Sequence, residues 1–250
     1  LTCLVGAVVL PCIAHADDWK FEGSINVWLP SISGQTSFPP SSGGPSVDVT
    51  TEDIVDAIKM AFMGSLDVKK GAWGAFTDVA YVDLGDSVSG TRDFSLGQSA
   101  APASLYANFG FDLKATAWTT TGTYSVLATP QSVVDVMAGA RLLHIKQLLQ
   151  YQFNGIVGSG ETVDSNWDAV IGVKGRTHFG AAGNWFIPYY LDVGTGESQF
   201  TWQAQVGAGY QFDWGSVSAI WRYLDYQLKS PNSLESVSFN GPAFVASFRW

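Results

Sequence analysis

The chain has 250 residues, enough for one large all-β domain or two smaller ones. It is 46% hydrophobic but only 14% charged, where an average soluble domain carries roughly 25% charge. Its formal net charge of −9 repels phosphate backbones, which excludes nucleic acid as an expected partner.

Leu1 to Ala16 carries no Asp, Glu, Lys or Arg, is apolar from Leu4 to Ile13 and ends in Ala14-His15-Ala16. This is the pattern of a secretory signal cleaved after Ala16, without the usual basic start. The expected division is a signal over 1–16 and one domain over 17–250. Reading Cys12 as a lipid attachment site puts Pro11 where a small residue is expected. Cys3 and Cys12 both lie in this segment, so the remainder offers no disulfide, thiol nucleophile or thiolate metal site.

After residue 16 no apolar run approaches the ~18 residues of a spanning helix, so the hydrophobic residues must be interleaved with polar ones. In chain order, Trp19, Phe21, Gly23, Ile25, Val27 and Leu29 face one way, with Lys20, Glu22, Ser24 and Asn26 opposite. Segments near 60–69, 73–84 and 107–127 alternate less cleanly. Val134, Val136, Ala138, Ala140 and Leu142 oppose Asp135, Gly139 and Arg141; Trp167, Ala169, Ile171 and Val173 oppose Asp168, Gly172, Lys174 and Arg176. After a segment near 184–194, Phe200 to Phe212 alternates without exception: Phe200, Trp202, Ala204, Val206, Ala208, Tyr210 and Phe212 against Thr201, Gln203, Gln205, Gly207, Gly209 and Gln211. Ten steps from Phe200 to Tyr210, at ~3.3 Å each and tilted ~40°, cover about 25 Å, the lipid-facing band of an outer-membrane barrel. Segments near 216–226 and 235–250 complete about ten strands, eight and twelve being the neighbouring even counts.

Short turns at Lys70-Gly71, Ala128 to Gln131, Gly180 to Gly183 and Asp213 to Gly215 alternate with longer or more polar links at Pro30 to Lys59, Gly85 to Ser104, Lys146 to Asp164, Gly194 to Gln199 and Gln227 to Leu234. That asymmetry predicts a closed antiparallel up-and-down transmembrane β-barrel in a bacterial outer membrane, with periplasmic turns and external loops. In the first long link, Thr50 with Asp53 resembles a helix cap, and Ile54, Val55 and Ile58 would share a side, as a plug over the barrel or a short helix packed on its rim.

The chain ends Phe244-Val245-Ala246-Ser247-Phe248-Arg249-Trp250. A terminal aromatic after alternating hydrophobics, here Phe244, Phe248 and Trp250, resembles the assembly signal on the last strand of outer-membrane proteins, with Trp in place of the usual Phe. Ala61-Phe62-Met63-Gly64, Trp73-Gly74-Ala75-Phe76, Gly139-Ala140-Arg141, Thr201-Trp202-Gln203-Ala204 and Trp221-Arg222-Tyr223-Leu224-Asp225 resemble small proteobacterial outer-membrane proteins of unassigned function, broadly similar to OmpW-like and OmpA-like barrels. The resemblance implies outer-membrane lipid and lipopolysaccharide as surroundings and the barrel assembly machinery as a partner. It supplies no catalytic residues and no cofactor.

His144 and His178 fall at opposite rims, which rules out one shared metal site. His144, Ser159 and Asp164 could be assembled into a rim hydrolase, but their spacing does not require one. Gly207 and Gly209 lack the Lys and helix of a phosphate loop and are read as relieving crowding on the inward face. The inward phase collects the bases Lys20, Lys69, Lys114, Arg141, Lys174, Arg176, Arg222 and Arg249 and the acids Glu22, Asp67, Asp78, Asp112, Asp135, Asp168, Asp192 and Glu235. A balanced set favours ion pairs filling the lumen, with Asp135, Arg141, Asp168, Lys174, Arg176, Asp192 and Arg222 as the candidate network. Expected functions are therefore a structural barrel or a narrow passive path for small solutes. The alternatives are a docking or adhesion surface built on acidic loops, such as Asp48, Glu52, Asp53 and Asp56, and a rim hydrolase. A lipocalin-like soluble barrel conflicts with the outward Trp19, Phe21, Trp167, Phe200 and Trp202.

Overall fold

The computed structural model describes residues 18–35, 46–49, 58–89, 107–153, 156–180, 183–229 and 236–250. Every regular element among them is a strand: β1 (Lys20–Trp28), β2 (Ser31–Gln35), β3 (Ser46–Val49), β4 (Ile58–Lys70), β5 (Trp73–Ser89), β6 (Ala107–Ala128), β7 (Ser132–Phe153), β8 (Ile156–Phe179), β9 (Trp185–Gly196), β10 (Ser198–Gln211), β11 (Gly215–Leu228) and β12 (Ser236–Arg249). β1 and β4 to β12 pair in chain order, all antiparallel, and β1 pairs β12 from Glu22↔Arg249 to Trp28↔Ala243, closing a ten-strand barrel. β2 and β3 form a hairpin that the sequence did not announce; β2 adds to β12 above the end of β1, from Ser236↔Gln35 to Asn240↔Ser31.

The alternation has its expected cause, lipid outside and a packed lumen inside. Ile25, Val27, Trp118, Trp167, Ile171, Val206, Trp221 and Phe244 are exposed on the outer face. Aromatic pairs ring the two ends of that face. Trp73 with Tyr124, Trp185 with Tyr210 and Phe212 with Trp214 lie at the short-turn end; Trp118 with Trp167 and Trp202 with Tyr223 lie at the other. Eight steps from Trp202 to Tyr210 correspond to about 20 Å along the membrane normal. Phe244 and Phe248 point outward near the C-terminus, and Trp250 stacks on Phe21 at 5.9 Å, where two backbone hydrogen bonds join residues 21 and 250.

Several expectations need correction. Lys146 to Asp164 is not a loop but the continuation of β7 and β8, paired without a bulge up to Phe153↔Ile156. Above the membrane both faces of a hairpin meet water, so a strand there needs no amphipathic alternation. Gly194 to Gln199 is no long link either, because Glu197 alone separates β9 from β10. The barrel wall is therefore very uneven: β8 has 24 residues and β9 has 12. Ile58 opens β4 rather than ending a helix. The expected helix over 50–57, the signal over 1–16 and Glu235 lie outside the described residues. Lys114, expected in the lumen, stands in the outward phase of β6, pairing Asp83 at 2.8 Å above the external aromatic ring, where an outward charge meets headgroups and water rather than hydrocarbon.

A small barrel needs strongly curved strands, and inward glycines supply the room. A Cβ on Gly207 would stand 2.1 Å from the Ala219 carbonyl oxygen and 2.6 Å from Ile220 Cα, and one on Gly209 would stand 2.3 Å from the Phe186 ring. Gly207→Val must push β10 from β11. The expected loss is about 1–3 kcal/mol or more, read as a lower urea midpoint of the refolded protein; an unchanged midpoint would refute the close-approach assignment.

Candidate functional site

The lumen is layered. Its central layer is built by inward positions of seven strands. Arg141 on β7 is fully buried; it ion-pairs with Asp192 of β9 and donates from Nε to Thr119 Oγ1 at 2.9 Å, and from its terminal nitrogens to Thr201 Oγ1 at 3.4 Å and Gln203 Oε1 at 3.5 Å. Arg222 on β11 donates to Asp78 Oδ1 of β5 at 2.6 Å and to Gln203 Oε1 at 3.2 Å, with the Trp28 ring 4.7 Å from its guanidinium. Gln203 thus accepts from both arginines, and the Tyr190 hydroxyl donates to Asp192. Two planar forks and two carboxylates make this layer a cross-brace, since guanidinium presents several donors in a fixed geometry.

On the external side the lumen turns apolar. Leu143 and Ile145 of β7, Leu224, Tyr226 and Leu228 of β11, and Val237 and Phe239 of β12 are buried together with Trp28 and Met63. On the periplasmic side it opens into a cavity of about 630 Å³. Lys174 pairs with Asp67 and lies 3.9 Å from the Phe76 ring centroid; Lys69 pairs with Asp135, which also accepts from Ser125 Oγ at 2.6 Å. Glu22 receives Arg176 at 2.6 Å and Arg249 at 2.6 Å. Ser24, Ser65, Ser216, Ser218 and Ser247 line the remaining wall, and these small side chains leave the space the charged side does not fill.

Of the residues singled out from sequence, Arg141, Asp192 and Arg222 meet in the central layer, while Asp135, Lys174 and Arg176 stand in the cavity, each with a different partner. Asp168 pairs with no arginine among the described residues; its Oδ1 accepts the Ser198 amide at 2.8 Å and ties β8 to the β9–β10 turn. Asp78 and Gln203 carry as much of the network as the named residues. Their inward phase was legible, but their partners were not. His144 faces outward on β7 with Nδ1 2.7 Å from Ser165 Oγ. Ser159 stands six residues further up β8 than Ser165, about 20 Å along the strand, so His144, Ser159 and Asp164 do not form one site. No group of metal-ligating side chains occurs among the described residues.

A closed antiparallel barrel with an apolar outer band, aromatic rings at both ends and a polar lumen defines an integral outer-membrane β-barrel protein. The solved structures it resembles are bacterial outer-membrane barrels. The outer membrane protease OmpT of Escherichia coli matches with a TM-score of 0.51 and 11% identity, over 95% of this chain and 99% of that one. The translocator domain of the autotransporter NalP of Neisseria meningitidis matches with a TM-score of 0.46 and 14% identity, over 95% and 90%. Ail, the attachment invasion locus protein of Yersinia pestis, matches with a TM-score of 0.38 and 10% identity, over 94% and 99%. At these identities the likeness carries the fold alone. No protein-family profile matches the chain, and no curated protein matches it in sequence.

Proposed function

We propose that this protein is a non-conducting structural barrel that holds a rigid wall of strands above the outer leaflet. The observation that carries this reading is the buried Arg141–Asp192 and Arg222–Asp78 layer joined by Gln203, backed on its external side by Leu143, Leu224 and Tyr226. An ion moving through would meet fixed paired charges and then an apolar layer that does not hydrate it. β8, at 24 residues, rises about 60 Å at ~3.3 Å per residue and ~40° tilt. That is more than twice the ~25 Å lipid band, so its external half serves outside the membrane. Protein reconstituted in a planar bilayer is expected to give no resolved single-channel steps at moderate voltage. Stable steps from the unaltered protein would overturn the closed-barrel reading in favour of a narrow channel.

A further inference from the structure

The periplasmic cavity carries positive charge that its own ion pairs do not use. Five bases line it, Lys20, Lys69, Lys174, Arg176 and Arg249, against Glu22, Asp67, Asp78 and Asp135. Asp78 already holds Arg222 of the central layer, while Lys69 takes Asp135 and Lys174 takes Asp67. Glu22 is left to Lys20, Arg176 and Arg249. Three bases against one carboxylate is a surplus of two positive charges, in a chain whose formal net charge is −9. Asp18, Lys70 and Asp213 stand at the same end but outside the lining. Lys20 of β1 lies directly opposite Lys69 of β4, and like charges so placed are destabilising. The next inward pair, Glu22 opposite Asp67, has the same fault but is relieved by Arg176, Arg249 and Lys174. Lys20 has no such relief, since its ammonium makes no ion pair or hydrogen bond among the described residues. The two arginines keep donors in reserve: Arg176 spends only Nη2 on Glu22 and Arg249 only Nε, where a guanidinium offers about five N–H groups.

The remaining wall is neutral and hydroxylated. Ser24 and Ser247 bond each other at 2.8 Å, but the hydroxyls of Ser65, Ser216 and Ser218 meet no hydrogen-bond partner among the described residues. At about 630 Å³ the cavity has room for far more than a bare anion, and it falls in the size range of small-molecule sites. We infer that this cavity is a binding site for a small phosphomonoester with a polyhydroxylated body, of the sugar phosphate class, entering from the periplasm. A phosphomonoester carries about −1.5 to −2 charge at neutral pH, which matches the surplus, whereas a carboxylate leaves half of it uncompensated. Its phosphate oxygens take the spare guanidinium donors of Arg176 and Arg249 and the ammonium of Lys20. Its hydroxyl groups exchange hydrogen bonds with the serines, which donate and accept alike. The inference rests on the proposed function only in making the cavity a dead end.

The test is calorimetric titration of glucose monophosphate into the full barrel in phosphatidylcholine nanodiscs at physiological ionic strength. Expected are saturable one-to-one binding, affinity lower by about tenfold for Lys20→Gln, which removes one charged donor, and near-normal affinity for Lys20→Arg. Lys20 is exposed and holds no partner, so its loss leaves the ion pairs of the lumen in place. Lys70→Gln removes a base at the same end but outside the lining and should change nothing. Inorganic phosphate and glucose should each bind at least about tenfold more weakly than the ester, since each meets only one part of the site. No loss from Lys20→Gln, or an equal loss from Lys70→Gln, would reduce the effect to general charge attraction and overturn the site. Inorganic phosphate as tight as the ester would leave the serine wall without a role, and glucuronate as tight would make the ligand a carboxylate; either result overturns the sugar phosphate. Binding abolished in phosphatidylglycerol nanodiscs would give the cavity to a lipid head group and overturn the soluble ligand. Conductance of the same preparation separates the two readings: a silent barrel that ignores the ester defeats the binding site alone, and a conducting barrel that binds it defeats the closed lumen alone.

Discussion

Arg141→Ala is expected to lower folding stability by roughly 3 to 5 kcal/mol, the cost of breaking a buried ion pair by removing one partner. The guanidinium has no exposure, and it serves Thr119, Thr201, Asp192 and Gln203 from three other strands. Its loss leaves the buried Asp192 carboxylate with only the Tyr190 hydroxyl as a side-chain donor. Arg141→Lys keeps the charge but not the fork, and it should fall between the two. Replacing the pair together, Arg141→Met with Asp192→Leu, should return much of the loss, because no charge is then stranded. Urea unfolding of protein refolded into lipid vesicles, followed by tryptophan fluorescence, measures all three. A single-variant loss under about 1 kcal/mol, the range of exposed pairs, would show that water reaches this layer.

The membrane-spanning part was legible because two solvents act on it. In β10 every outward residue meets lipid and every inward one meets the lumen, so Phe200 to Phe212 carried an unbroken period of two that the register reproduces. β6 gave no such contrast: Thr116, Thr119, Thr120, Thr121 and Thr123 stand on both faces. Lys114 then looked like a lumen base when it belongs to the outward face beside Asp83. The upper halves of β7 and β8 were hidden for a related reason. They rise beyond the ~25 Å lipid band, where nothing demands alternation, so strand and polar loop read alike. Inward phase identified the charged residues but not their partners. Arg222 and Asp78 lie 144 positions apart and meet only across the closed lumen, and nothing in the sequence around the uncharged Gln203 signals that it joins both arginines.

On the proposed closed-barrel reading the lumen is sealed by two layers in series, and this sets the largest change expected in conductance. Removing the Arg222–Asp78 pair, by Arg222→Ala with Asp78→Ala, leaves no stranded charge and thins the central brace, but an ion still meets Leu143, Leu224 and Tyr226. Thinning the apolar layer, by Leu143→Ala with Leu224→Ala, leaves the Arg141–Asp192 and Arg222–Asp78 braces in the path. Each double variant should therefore stay near-silent, while the four changes together thin both layers at once and let a hydrated path run from the periplasmic cavity outward past the Arg141–Asp192 pair and Tyr226, which stay in place. The barrier to a desolvated ion is several kcal/mol, so the combined variant should conduct roughly a hundredfold or more above either double variant. That departure from additivity is the signature of residues acting on one shared path. If the charge-pair variant alone conducted as freely as the combined one, the apolar layer would not be a seal. If the combined variant folded with its heat-modifiable gel shift intact and stayed silent, the path would have to be closed elsewhere, and the layered plug would be wrong.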